Sequence, residues 1–144
     1  MQHRHLDDEL NELRDRVLLL GGEVEAALER GMRALLERDS DLARGVLNHD
    51  DAIDRIEVEI DRQCIDIIAL RQPAARDLRF VISVAKMAPV LERIADHACN
   101  IARAAIDLND EPQAATTQIL LGPPGSEIGT RGRDHPDQGD ARRR

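Results

Sequence analysis

The sequence predicts an all-α protein: an antiparallel three-helix bundle with a disordered C-terminal tail. Three observations lead there. Apolar residues recur at steps of three and four over long stretches, the spacing that lines one face of a helix. Phe80 is the single Phe and there is no Trp or Tyr, so a core must be built from Leu, Ile, Val, Ala and Met. Charged residues make up 33% of the chain, which suits helices that coat one face with charge and bury the other. No long stretch shows the period-two alternation of a half-buried strand.

The first helical pattern runs from about Leu6 to Glu37. Its expected seam is Leu6, Leu10, Leu13, Val17, Leu20, Val24, Leu28 and Leu35. The steps alternate between four and three, with one wider gap across Gly31, as in a left-handed bundle. Gly21-Gly22 falls mid-pattern, at a cost of ~1 kcal/mol per Gly relative to Ala, and marks a bend or a close helix approach. The pattern breaks at Arg38-Asp39-Ser40-Asp41, where Asp39 or Ser40 can cap a new helix by accepting from its free N–H groups.

The second helix is expected to reach about Leu70. Leu42, Val46, Ile53, Ile56, Ile60 and Ile67 form its seam, and His49 takes the slot between Val46 and Ile53. Gln72-Pro73 ends it, because a residue before Pro avoids helical angles, and Pro73 suits the first turn of a third helix. The third helix runs to about Asn109 and stops before Pro112. Between Leu78 and Ala105 it is apolar on nearly every side, so it is expected to lie centrally, buried by both neighbours. Pro89 inside it predicts a kink or a freed carbonyl. Short connections make sequential helices antiparallel, and helices of ~31 to 36 residues span ~46 to 54 Å.

Residues 1–111 are therefore read as the bundle and 112–144 as the tail. The tail contains GPPGSEIGTRGRDHPDQGDARRR, rich in Gly, Pro and charge; such a composition does not repay the entropy of ordering. Its terminal Arg142-Arg143-Arg144 permits at most peripheral contact with an anionic surface.

The net charge is −8, which argues against nucleic acid as a partner, since phosphate backbones need a basic surface. Residues 1–111 hold 24 Asp and Glu against 15 Lys and Arg, an acidic body that favours cations or basic protein surfaces. MQHRHLDDEL has no apolar core of a signal peptide, and no run of ~18 apolar residues spans a membrane; the expected compartment is the cytoplasm. Cys64 and Cys99 lack metal-type spacing and are read as buried reduced thiols.

Two acidic stripes are the candidate functional residues. Asp50, Asp54, Glu57 and Asp61 recur at steps of four, three and four on the second helix, sharing one face. Glu92, Asp96 and Asn100 share a face of the third. A solvated outer face, partly neutralised by Arg55 and Arg62, is the plain reading of the first stripe. For the second, Glu92 and Asp96 sit in a helix expected to be largely buried, where carboxylates need a basic partner such as Arg93 or Arg103, or a cation. Carboxylates with one amide are hard oxygen ligands, suited to Mg, Ca, Mn or Fe. His49 and His97 are read as packing or surface residues. A di-iron oxidase would need Glu-x-x-His pairs, but Val46 and Ile94 stand three residues before the two histidines. No Gly-rich phosphate loop or nucleophile–base pair is present. Arg76-Asp77-Leu78-Arg79 offers two guanidinium forks, but the intervening Asp77 favours a structural role.

Gln72-Pro73, Arg76-Asp77-Leu78-Arg79, Leu91-Glu92-Arg93-Ile94-Ala95-Asp96-His97 and Asn100-Ile101-Ala102 resemble the PhoU family signature in order and spacing. Asp50-Asp51-Ala52-Ile53-Asp54-Arg55-Ile56-Glu57 resembles the segment before it, and the likeness covers roughly residues 5–110. It implies a three-helix bundle, of which the family usually carries two in tandem. It implies a non-enzymatic negative regulator of phosphate uptake and phosphate-starvation signalling, linking the phosphate ABC transporter ATPase to a sensor histidine kinase. It also implies metal ions, Fe or Zn, held by Glu/Asp-x-x-x-Asp motifs, here Glu92 with Asp96 and, less closely, Asp50 with Asp54; the hard oxygen donors add Mn and Mg to the possible cofactors. The chain departs from the family in lacking the second repeat, so a homo-oligomer is expected to rebuild the six-helix arrangement. It departs also at Pro89, three residues before Glu92. The alternative reading is a generic helical dimerisation or adaptor module, or a truncated, non-functional relic.

Overall fold

The computed structural model describes residues 2–111, with side chains from His5 onward; the expected tail lies outside the described residues. The chain forms three helices, α1 (Gln2–Glu37), α2 (Ser40–Asp66) and α3 (Ala75–Asp110). Each packs against both others, and no strand occurs among the described residues. The fold is the predicted up-down-up bundle.

Why the helices stop where they do follows from local chemistry. At the α1–α2 turn, Arg38 takes a left-handed conformation (φ 56°) and the Asp39 N–H reaches back to the Ala34 carbonyl at 3.0 Å. This is the six-to-one closure of a helix C-terminus. Asp39 then caps α2: its side chain accepts from the Leu42 N–H at 2.9 Å. At the other end of α2 the structure departs from expectation. The α-helix ends at Asp66, and a π-helical turn (Ile67–Arg71) carries the chain to left-handed Gln72. The wider turn still buries Ile67 and brings Arg71 to α1, where its guanidinium donates two bonds, at 2.9 and 2.8 Å, to the Glu9 carboxylate. Pro73 is buried in the connection instead of opening α3, which begins at Ala75.

The core follows the predicted seams, with Leu6, Val17, Leu35, Leu42 and Ile56 half-buried at its margin and one position exchanged. Leu10, Leu13, Leu20 and Val24 of α1 and Val46, Ile53, Ile60 and Ile67 of α2 are buried. Leu28 is not: Ala27 takes its place inside, and Leu28 is 37% exposed. On α3 the buried face is mostly small, with Ala88, Ala95, Ala98, Ala102 and Ala105 beside Val81, Val84 and Cys99. Small residues let helices approach closely. The closest approach falls at Gly31, where a Cβ would stand 3.0 Å from the Ala98 carbonyl oxygen. Gly21 and Gly22, the expected site of a bend or approach, have no atom within 4 Å of such a Cβ and lie within unbroken helix. α3 also runs unbroken through Pro89. The ring is exposed, so the missing N–H falls on the solvent side of the helix.

Gly31 and Gly22 should therefore respond oppositely to substitution. Gly22→Ala should stabilise the bundle by up to ~1 kcal/mol, a rise in Tm of a few degrees in thermal denaturation. Gly31→Val should lower Tm by more than that, because the Ala98 backbone cannot yield as a side chain would. Equal effects at the two positions would contradict the packing described.

Candidate functional site

α2 and α3 run antiparallel, and their acidic stripes meet. The electrostatics give the register. The Asp54 carboxyl is raised above the usual carboxylate range, by burial first, then by Asp50, then by Asp96 across the groove. Glu57 is raised by burial and by its own-helix neighbours Asp61 and Asp54. Glu92 is raised by burial, by the Asp96 carboxyl against it, and then by Asp54 and Glu57 of α2. The Cys99 thiol is pushed up to about 12 by burial and by the Asp50 carboxylate beside it. The result is a ladder in which Asp50 lies beside Cys99, and Asp54 and Glu57 of α2 lie near Asp96 and Glu92 of α3.

This placement decides between the two readings of α2. Asp50, Asp54 and Glu57 are half-buried against α3, so they do not form a solvated outer face; only Asp61 does. On α3 Glu92 is half-buried, whereas Asp96 and Asn100 are exposed, a shallower setting than the apolar pattern implied. The arginines expected to neutralise the stripes do not. Four ion pairs occur among the described residues, and none includes a carboxylate of the ladder. Arg103 instead donates to Asn100 at 3.0 Å. Asp50 Oδ1 and Asp54 Oδ1 are buried without any hydrogen-bond partner, an arrangement that costs free energy unless something supplies a donor or a positive charge.

The histidines stand apart from the ladder. His49 Nε2 lies 2.6 Å from Glu23 of α1, so the polar slot in the α2 seam is filled by a partner from the neighbouring helix. His97 is exposed, about 100° around α3 from Asp96. Both cysteines are buried and free; the Cys64 thiol donates to the Val81 carbonyl at 3.7 Å and is raised to about 11 by burial, then by Asp61.

A metal centre can be tested against these residues. The orphaned oxygens and uncompensated charge suit a cation. However, no group of three or more His, Cys, Asp or Glu converges at metal-holding distance among the described residues. Sites that hold Zn or an iron cluster gather three or four protein ligands. A hydrated divalent ion needs only one or two carboxylates and retains its waters. Glu92, Asp96, Asp50 and Asp54 fit the second requirement and do not form the first.

The residues that carry this geometry also carry the family likeness. Residues 17–105 match the PhoU domain, a stretch that includes every rung of the ladder. The chain belongs to the PhoU family. It is 41% identical over 120 residues to the phosphate-specific transport system accessory protein PhoU homolog of Pseudomonas aeruginosa, covering 83% of this chain and 50% of that protein. It is 43% identical over 99 residues to the Escherichia coli accessory protein PhoU, covering 69% and 41%. Among solved structures, PhoU from Pseudomonas aeruginosa superposes with a TM-score of 0.71 at 41% identity, over 81% of this chain and 57% of that one. The phosphate transport system regulatory protein PhoU from Streptococcus pneumoniae gives 0.68 at 34% identity, over 79% and 55%. The chain thus spans about half the length of the PhoU relatives it matches. No helix among the described residues is long and apolar enough to cross a membrane.

The ladder sets a direction for pH dependence. Asp54, Glu57 and Glu92 titrate above their unfolded values, so the folded state binds their protons more tightly. Their contribution is fully present below the ordinary carboxylate range and is lost as pH rises through the raised values. Asp54→Asn should therefore raise Tm at neutral pH, by about 1–4 °C if one or two repulsions of ~0.2–0.5 kcal/mol are relieved. The gain should shrink as pH falls through the raised value into the ordinary carboxylate range, where the wild-type carboxyl takes up its own proton. A gain that is the same across that range would show that charge is not its source.

Proposed function

We propose that this chain is a regulatory accessory protein of a phosphate transport system, acting in the cytoplasm through protein–protein contact and not through catalysis. In the finer reading it is a negative regulator of phosphate uptake and phosphate-starvation signalling. Its partners are then the phosphate ABC transporter ATPase and a sensor histidine kinase. The observation that carries the proposal is the match to the PhoU domain across all three helices, with relatives named for the accessory role at 41–43% identity. Because the chain spans only about half of those relatives, the whole protein's activity and contacts do not transfer without a test.

The test is complementation. Expressing the chain in phosphate-replete bacteria that lack their own PhoU should restore repression of a phosphate-starvation reporter. A reporter that stays on, with the chain present and helical, would leave the adaptor or relic reading in its place.

Within this reading the acidic groove is the cation site, held by Glu92 and Asp96 with Asp50 and Asp54 opposite. Magnesium or manganese suits it better than a preformed iron or zinc cluster, since two carboxylates and water complete such a shell. A bound ion would remove the repulsion between the stripes and tie α2 to α3. Millimolar Mg²⁺ or Mn²⁺ should then raise Tm relative to chelator, by an amount that grows with concentration. The combined Glu92→Gln and Asp96→Asn change should abolish that rise while leaving helicity near wild type. A rise that persists in the double variant would move the ion elsewhere.

A further inference from the structure

The acidic ladder fills only one half of the α2–α3 groove; the other half is apolar. On α3, Pro89, Ala85, Ile82 and Leu78 precede Asp96 by 7, 11, 14 and 18 residues. Those separations bring each back to within about 40° of Asp96 around the helix. On α2, Val58 and Ile65 follow Asp54 by 4 and 11 residues and repeat its azimuth in the same way. The Cys64 thiol on the Val81 carbonyl sets Ile65 and Ile82, the next residue of each helix, at one level. Val58, Ile65, Ile82 and Ile68 of the π-helical turn are 39–57% exposed; Leu78 and Ala85 are half-buried. This side is turned away from α1, which α2 meets through His49 and Gln63, roughly 140–180° around α2 from Asp54.

The two halves call for different side chains. From Asp50 to Ile65 the groove runs about 22 Å, the length of roughly four helical turns, and two helices side by side form a trough in which the ridge of a third can settle. Around Ile65 and Ile82 a visitor gains by burying apolar surface. Toward Asp50 the floor holds Asp54, Glu57 and Glu92, and two buried oxygens, Asp50 Oδ1 and Asp54 Oδ1, lack any hydrogen-bond partner. An ammonium or guanidinium supplies the missing donor and the missing charge together. Arg55 and Arg62 of α2 and Lys86 and Arg93 of α3 are exposed and stand about 60–100° further round their helices, so they border the groove without closing it.

We propose that the α2–α3 groove docks a basic amphipathic helix of another protein. Its apolar residues seat between Ile65 and Ile82, and its Lys or Arg residues lie among Asp54, Glu57 and Glu92. Two features choose this occupant. The change from apolar to acidic along one groove matches a helix whose inner face changes from apolar to basic. Charge complementarity rejects the competitors: a second copy on this face would set ladder against ladder, and an anionic lipid or nucleic-acid surface would be repelled. A lysine or arginine in the groove supplies the positive charge that a bound ion would otherwise supply. The inference rests on the reading of the chain as a regulator that acts by protein contact. Docking is measured on the purified chain in chelator, so its failure is separate from that of the reporter test and of the ion.

The experiment is fluorescence anisotropy of a labelled helical peptide titrated with the full chain. The probe is a peptide of about 18 residues of Leu, Ala and Lys, with leucines three and four apart in one half and lysines on the same face in the other. Saturable binding is expected at micromolar concentrations in low salt, weakening as salt is raised, and none for the peptide with Glu in place of Lys. Ile65→Asp and Glu57→Lys should each raise Kd at least about tenfold, with far-UV circular dichroism showing helicity retained. Leu36→Asp, at an apolar residue of α1 that is 77% exposed, should leave Kd unchanged, which separates this groove from general apolar adhesion. No binding at about 100 µM, equal affinity for the acidic peptide, or a Kd indifferent to both groove substitutions would overturn the proposal. Sedimentation of the same samples checks the rival occupant: a dimer that the peptide dissociates would put a second copy in the groove and overturn it as well.

Discussion

The alanine face of α3 is the constraint on which the other placements depend. Ala88, Ala95, Ala98, Ala102 and Ala105 line the side of α3 that meets its neighbours, and a methyl group holds a facing helix only a short distance away. α1 meets that face with Gly31, so the two backbones come nearly into contact. α2 meets it with larger Val and Ile side chains, buried almost completely. Because large residues interlock with small ones, sliding one helix along another would open voids at one end and clashes at the other. The register between helices is thus fixed by volume, and the positions of the charged residues follow from that register.

The carboxylate ladder is the main such consequence. Burial of Ile53 and Ile60 in the core brings Asp54, next to Ile53, and Glu57, one turn before Ile60, to the edge of the α2–α3 groove. The bundle accepts repulsion there in return for a well-filled interior. The polar ties lie elsewhere: Asn109 donates to Ser40 at 2.9 Å near one end of the bundle, and Arg71 clamps Glu9 near the other. These anchor the helix ends and leave the middle of the groove uncompensated, which is where positive charge has most to gain.

The sequence made some of this legible and hid the rest for identifiable reasons. The seams of α1 and α2 could be read because one face of an amphipathic helix repeats regardless of what covers it. Leu28 was misplaced because Ala27, one residue earlier, fits better beside the small residues of α3, and spacing carries no information about a facing surface. The same blindness put the close approach at Gly21-Gly22 instead of Gly31: a glycine is informative only when its opposite number is known. Apolarity on several sides of α3 was correctly seen, but its meaning was not; Met87, Val90 and Ile94 are open to solvent within the single chain. The two acidic stripes were visible as stripes, while their meeting across a groove required the α2–α3 register. The π-helical turn had no signal short of Pro73.

The order of these contacts along the chain bears on how the bundle assembles. Cys64 and Val81, in contact across α2 and α3, are 17 residues apart, whereas the approach of Gly31 to Ala98 joins distant parts of the chain. Closing the shorter loop costs less entropy, and local pairings form sooner than remote ones. The two sequential hairpins, α1–α2 and α2–α3, are therefore cheaper to close than the pairing of α1 with α3 at the alanine face. The acidic groove belongs wholly to the α2–α3 hairpin, so its self-repulsion opposes that one pairing and leaves the α1–α2 hairpin untouched.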